Sequence, residues 1–417
     1  MTAEPADLPL PAGAGAGQRF RRKVLYIPGF DPFPPRRYRE LYRRESAAQA
    51  EVSGFDISLS ASPRRDGGYG WAVVAAFGDR LSATGFEVLG WSDLVRASME
   101  RGIPATYLQL LRTAWTYLST GTLRRLARLG KGPVIAALYP AAMLVLQAVA
   151  AVLAALVAAL AASAVFGRAA GALTGIGVAV VLLVFFRRID RRLHAYYLMH
   201  DFAFSAGQGG QYPATLDRQI DLFADRIARE LSEGHDEVLV VGHSSGACLA
   251  VSALARVMRR WGLPDDGRPA LGLLTLGQAI PMISFLPGAA ALRADLHDVS
   301  ATDRIFWLDV TAPGDGCCFA LCDPVAVTGV SPRQKRGPLV ISAAFSQTLS
   351  PERWRRLRRR YFRLHFQYLC AFDRPGDYDY FRITAGPMTL AERFAERKGS
   401  ASRIETPHSA YTDMVRR

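Results

Sequence analysis

Two uninterrupted apolar runs dominate the middle of the chain. Residues 133–166 and 169–186 are almost wholly Ala, Val, Leu, Ile, Phe and Gly, and between 132 and 186 the only charged side chain is Arg168. A helix needs about 20 apolar residues to cross a hydrocarbon core of about 30 Å. The first run has that length with tilt, or from just after Pro140, and the second has it marginally. Only Gly167 and Arg168 separate them, so they predict a helical hairpin. Gly167, Gly171 and Gly175 recur every four residues, the spacing that lets membrane helices approach closely. A buried Ala-rich pair in a soluble protein, or a re-entrant pair, would share this composition.

On either side the pattern changes to short apolar runs alternating with amphipathic stretches. Residues 23–27 read as a buried strand ending at Pro28-Gly29-Phe30, and residues 38–51 as a helix. Residues 106–129 are amphipathic and lead into the hairpin. After it, Ile220, Phe223, Ile227 and Leu231 keep helical spacing until Gly234. Residues 237–241, Glu-Val-Leu-Val-Val, resemble a central parallel strand, and 247–261 a helix. Residues 271–276, 304–310 and 339–344 are further strand candidates. Such alternation predicts an α/β fold with a mostly parallel sheet flanked by helices.

Charge orients the hairpin. The chain of 417 residues holds 51 Lys and Arg against 37 Asp and Glu, a formal charge of +14. Arg124, Arg125, Arg128 and Lys131 precede the hairpin; Arg187, Arg188, Arg191 and Arg192 follow it. Basic flanks stay cytoplasmic. The expectation is a two-pass protein of the inner or plasma membrane, with soluble parts and both termini in the cytoplasm. The arginine-rich segment 352–363 would then lie on an anionic membrane surface. No aromatic-interleaved basic motif or zinc finger is present, so no nucleic-acid partner is expected.

The five cysteines do not form a disulfide framework, and Cys317, Cys318 and Cys322 lack the neighbouring histidine or second pair of a zinc site. No metal or organic cofactor is expected. The expected divisions are a disordered tail (1–18), the first part of an α/β domain (19–103), a juxtamembrane helix (104–131), the hairpin (132–186), the main α/β part (187–375) and a C-terminal extension (376–417).

Candidate chemistry follows the strand at 237–241. Gly242-His243-Ser244-Ser245-Gly246 is a Gly-x-Ser-x-Gly pentapeptide between an apolar strand and a small-residue helix. This is the context of a nucleophile elbow: a serine on a sharp strand-to-helix turn, with glycines leaving room to pack. A serine hydroxyl needs a histidine base and an orienting acid to become nucleophilic. His243 reads as structural, because adjacent side chains on such a turn diverge.

The elbow resembles that of the α/β-hydrolase superfamily, the lipases and esterases in particular. Tyr26-Ile27-Pro28-Gly29-Phe30-Asp31 is similar to the strand-then-glycine loop that supplies one oxyanion donor in that family. The resemblance covers roughly residues 20–60 and 200–375. It departs from the usual pattern in separating loop and serine by more than two hundred residues, which the hairpin accounts for as an insertion. The resemblance implies an α/β-hydrolase-like fold and oxyanion donors at the N–H groups of Phe30 and Ser245. It also implies a triad in the order serine, acid, histidine. Asp315, just past the strand at 304–310, is the favoured acid, with Asp309 and Asp323 as alternatives; His365 is the favoured base, with His408 as alternative. The implied activity is a membrane-anchored serine hydrolase cleaving an ester or thioester of a lipid or other amphiphile. An acyltransferase using the same serine, or an inactive membrane-bound scaffold, would share these features.

Overall fold

The computed structural model describes residues 19–61 and 68–415. The expected tail at 1–18 lies outside them. Eight strands form one sheet: β1 (Phe20–Ile27), β2 (Asp56–Ala61), β3 (Tyr69–Phe77), β4 (Arg80–Val88), β5 (Glu237–His243), β6 (Ala270–Leu276), β7 (Ile305–Thr311) and β8 (Leu339–Ser342). Their order is β2-β3-β4-β1-β5-β6-β7-β8. Neighbours from β4 to β8 pair in parallel, whereas β3 pairs antiparallel with both β2 and β4. The result is an α/β fold with one mostly parallel sheet flanked by helices.

Both faces of the sheet are covered, which explains the unbroken apolar runs at its centre. Val24, Tyr26, Leu239 and Val241 join one core; Leu25, Ile27, Val238 and Val240 join the other. Helices Ala214–Glu230, Gly246–Arg260 and Ala290–Ala301 supply the second core. The first is closed by helix Arg36–Ser53 and by residues near the C-terminal end. Residues 376–417, expected as an extension, therefore contribute to the core: Tyr378, Phe381, Ile383, Leu390 and Phe394 are buried in it. An ion pair locks this segment on. Arg22 in β1 meets Glu237 in β5 at 2.5 Å, with both side chains buried. Arg22 also donates to the carbonyl of Gly386 at 2.7 Å, and Glu237 accepts from the N–H of Leu390 at 2.5 Å. The pair's remaining hydrogen-bonding capacity is thus met by backbone, as a buried ion pair requires.

The sheet takes strands from both sides of the hairpin, so the hairpin interrupts one α/β unit. It consists of helices Lys131–Phe166 and Arg168–Arg188, both long and apolar enough to cross a membrane. The most apolar stretches have mean hydropathies of 2.6 and 2.4, and only 17% and 11% of them are buried. A helix at the core of a soluble protein would be mostly covered. The first helix takes the longer of the two expected courses, running unbroken through Pro140. Its 36 residues span about 54 Å, well beyond a bilayer core. The excess lies at its start, where Pro133, Pro140 and Leu144 are buried, Leu144 against Leu110, Ala195, Tyr196 and Met199 of the flanking helices. The stretch 104–131 is not one helix: Ile103–Ser119 ends before Gly121, whose φ of +67° turns the chain into the short helix Thr122–Leu126. The arginine segment is broken as well, into helices Pro351–Leu357 and Tyr361–His365, so it presents no single continuous face.

Gly171 and Gly175 sit where the hairpin helices cross, while Gly167 forms the turn with φ +85°. A Cβ on Gly171 would fall 1.8 Å from Ser163 Oγ and 2.6 Å from the Ala159 carbonyl. Gly171→Ile should therefore force the helices apart, costing about 1–3 kcal/mol. Thermal unfolding of the detergent-solubilised chain should show a lower midpoint; an unchanged midpoint would mean the helices do not cross there.

Candidate active site

The strand β5 delivers Ser244 to a turn that the rest of the structure holds shut. Ser244 has φ +58°, a left-handed conformation that costs a residue with a side chain about 1–3 kcal/mol. Its N–H donates to the carbonyl of Leu276 at the end of β6 (2.9 Å), and its carbonyl accepts from Ala247 N–H (3.1 Å). The helix Gly246–Arg260 begins at once. A Cβ on Gly246 would lie 2.4 Å from the carbonyl of Ile27, so only glycine lets the helix start pack against the end of β1. A Cβ on Gly29 would lie 2.9 Å from Ser244 Cβ. The loop after β1 is thus pressed against the serine.

His365 and Asp315 reach this turn from the far end of the chain. Asp315 sits in the loop after β7, and its Oδ2 is 2.7 Å from His365 Nδ1. The same oxygen accepts from Tyr368 Oη at 3.1 Å, and Oδ1 accepts from Cys317 N–H at 2.9 Å. Burial alone would raise the Asp315 carboxyl, but the charge and hydrogen bond of His365, with these other donors, bring it below the usual carboxylate range. Ser244 and His365 line one cavity of about 90 Å³. His365 Nε2 is buried and has no hydrogen-bond partner, so Ser244 Oγ is not bonded to it in this state.

His243 holds the imidazole in place from below. Its Nε2 is 3.0 Å from the carbonyl of His365, and the two rings lie 4.8 Å apart. Burial, with His365 adding to it, drops the His243 pKa to about 3, so the ring is neutral and donates to that carbonyl.

Phe30 and Ser245, the expected oxyanion donors, also meet here, in an arrangement the sequence does not reveal. The N–H of Phe30 donates to Ser245 Oγ at 2.9 Å. The N–H of Ser245 lies at the amino end of Gly246–Arg260, among the donors a helix start leaves unpaired. The Phe30 loop is fixed by Trp91, whose indole N–H donates to the carbonyl of Pro28 at 2.8 Å, and by Tyr197, whose hydroxyl donates to the carbonyl of Phe30.

The alternative acids and base lie elsewhere. Asp309 is inside β7; its Oδ1 accepts from Thr275 Oγ1 at 2.5 Å and its Oδ2 has no partner. Asp323 caps helix Pro324–Thr328 through the N–H groups of Val325 and Ala326, and pairs with Lys335. His408 holds the carbonyl of Val327 through its own N–H. None of the three lines the cavity with Ser244.

Several cavity residues escaped the sequence reading. Asp201, in helix Ala195–Ala206, faces the cavity, and burial, partly opposed by His365, pushes its carboxyl up to about 7. A single acid in an apolar helix was the available signal. Pro133 and Ala136 bring the base of the first hairpin helix into the cavity wall. Cys317 lies there too, and Asp315, Cys317 and His365 present O, S and N atoms within 4.8 Å of one another. Such donors also suit a metal ion, and burial holds the Cys317 thiol well above its ordinary pKa. Compared with protein-family models, curated proteins and solved structures, the chain finds no significant match.

Asp309 yields a test of the strand's electrostatics. Burial raises its carboxyl to about 8, so the folded state keeps a proton that the unfolded chain releases above about pH 4. Stability therefore falls as pH rises between those values. Asp309→Asn should raise the unfolding temperature at neutral pH and change it little near pH 4. Destabilisation by the variant at every pH would contradict a neutral Asp309.

Proposed function

We propose that this chain is a membrane-anchored serine hydrolase of the α/β-hydrolase type, cleaving a carboxylic ester or thioester of a lipid or other amphiphile. One observation carries the reading: a serine in left-handed backbone at a strand-to-helix turn shares a cavity with an imidazole whose Nδ1 is bonded to a buried carboxylate and whose Nε2 is unengaged. The chain order serine, acid, histidine supports it, as do the positions of the last two after β7 and β8. The hairpin supports anchoring. Its basic flanks favour two passes with the α/β unit on the cytoplasmic side.

In this mechanism Ser244 Oγ attacks the acyl carbon while His365 Nε2 takes its proton. Asp315 keeps the proton of Nδ1 in place and stabilises the imidazolium. The carbonyl oxygen, now negative, accepts from the N–H groups of Phe30 and Ser245 once the Ser245 hydroxyl has turned away. The bond from carbon to the alcohol or thiol breaks, and the imidazolium protonates the leaving group. Water, deprotonated by His365, then attacks the acyl-enzyme and regenerates Ser244. The hydroxyl and Nε2 are unbonded in the resting state and come together when substrate is bound.

A fluorophosphonate probe should label the wild-type chain and not Ser244→Ala. Absence of labelling in folded wild type would favour an inactive scaffold. Asp315→Asn should lower kcat on an ester substrate by ~10⁴-fold, because the imidazole loses its tautomer. Gly29→Ala should cost on the order of 10²-fold by displacing the serine, and should also lower the unfolding midpoint through the close contact it makes. Full activity in either variant would contradict the assigned roles.

A further inference from the structure

A second, much larger depression adjoins the cavity. It measures about 1350 Å³, and Asp31, Tyr197, Phe362 and Phe366 line both, so the two adjoin across these side chains. Nine arginines line it against four carboxylates. Three arginines are paired: Arg37 with Asp31, Arg44 with Glu45, and Arg353 with Asp373 and Glu45. The other six, Arg187, Arg188, Arg191, Arg356, Arg360 and Arg363, make no ion pair among the described residues. Three come from the end of the second hairpin helix and the turn after it, three from the broken arginine segment. Arg355, Arg358 and Arg359 lie outside the groove, while their neighbours converge on it.

The six unpaired guanidinium groups are solvent-exposed, and around one concavity their fields add to a positive potential that favours an anion. The planar fork of arginine fits phosphate through paired N–H donors. The groove opens where the apolar hairpin helix ends, at the level expected for headgroups. The cavity at Ser244 is too narrow for a whole amphiphile but admits an ester carbonyl, and the rings of Tyr197, Phe362 and Phe366 bridge the two spaces.

We propose that the arginine groove binds the phosphate of the substrate whose ester is presented to Ser244, so that the substrate class is a phosphorylated ester amphiphile. This rests on the hydrolase reading above. The phosphate sets which ester is held at the serine, and it takes no part in the bond-breaking steps.

The test uses full-length Ser244→Ala protein in neutral phosphatidylcholine nanodiscs, so that nothing is hydrolysed. Lysophosphatidic acid and the monoacylglycerol with the same acyl chain are compared by equilibrium binding. The phosphorylated lipid should bind roughly tenfold tighter or more, and Arg188→Gln/Arg360→Gln should abolish the difference. Arg355→Gln/Arg358→Gln, which removes the same charge outside the groove, should leave it intact. Displacement of the lipid by glycerol 3-phosphate would support the proposal with the phosphate itself as the recognised group. Failure to displace it would support the proposal with a lipid headgroup. Equal affinity for the two lipids, or equal loss in both double variants, would overturn it. Fluorophosphonate labelling of the wild type, run in parallel, separates this failure from that of the hydrolase reading. Labelled Ser244 without phosphate preference sinks only the groove, whereas phosphate preference without labelling leaves a phosphate-binding groove and sinks the enzyme together with its substrate class.

Discussion

The constraint on which the rest depends is the left-handed backbone of Ser244, wedged between the end of β1 and the start of Gly246–Arg260. A serine in that conformation is strained, and it stays there because the surroundings leave no alternative. The N–H is committed to the carbonyl of Leu276, and the helix start is pressed against Ile27 with no space for a Cβ. Relaxing the turn would break a strand-end hydrogen bond and unpack a helix from the sheet. The strain is therefore supported by the burial of the two cores, and it aims a hydroxyl into the cavity where His365 waits with an unengaged nitrogen.

The second half of the arrangement depends on parallel strands ending at one edge. β5, β7 and β8 run in the same direction, so the loops that follow them converge. That brings Asp315 and His365 to Ser244 across sequence gaps far too long for local structure. The hairpin joins this edge as well. A Cβ on Gly132, at the start of its first helix, would lie 3.1 Å from the Cα of Gly316, next to the acid. The base of a helix able to cross a membrane is thus packed on the loop that holds Asp315, and a shift in the hairpin would be felt at the imidazole.

Much of this was legible in the residues. The strands at β1 and β5–β8 are buried on both faces, and their unbroken Val and Leu runs declare it. The elbow pentapeptide marks its own turn because the close packing at Gly246 admits nothing larger. The hairpin is legible from the length of its apolar runs. Strands β2–β4 were not read, although Gly78 and Asp79 form a two-residue turn between Phe77 and Arg80, a recognisable hairpin signal. β3 and β4 are largely buried, but their Ala, Ser, Thr and Gly residues (Ala72, Ala75, Ala76, Ser82, Ala83, Thr84, Gly85) carry a weaker strand signal than runs of Val and Leu. The C-terminal contribution to the core was hidden because Arg22 and Glu237, the groups that fix it, look like ordinary surface charges in a linear sequence. Asp201, the arginine groove and the Phe30–Ser245 contact depend on tertiary placement, which no spacing rule encodes.

The most direct measurement is chemical trapping of the intermediate. Full-length protein mixed with an activated ester and quenched in acid should carry the acyl group on the peptide containing Ser244, as read by peptide mass mapping. The acyl group should be lost from that peptide when the quench is delayed. Acylation of Cys317 in place of Ser244, or no covalent intermediate in protein that turns the ester over, would contradict the account.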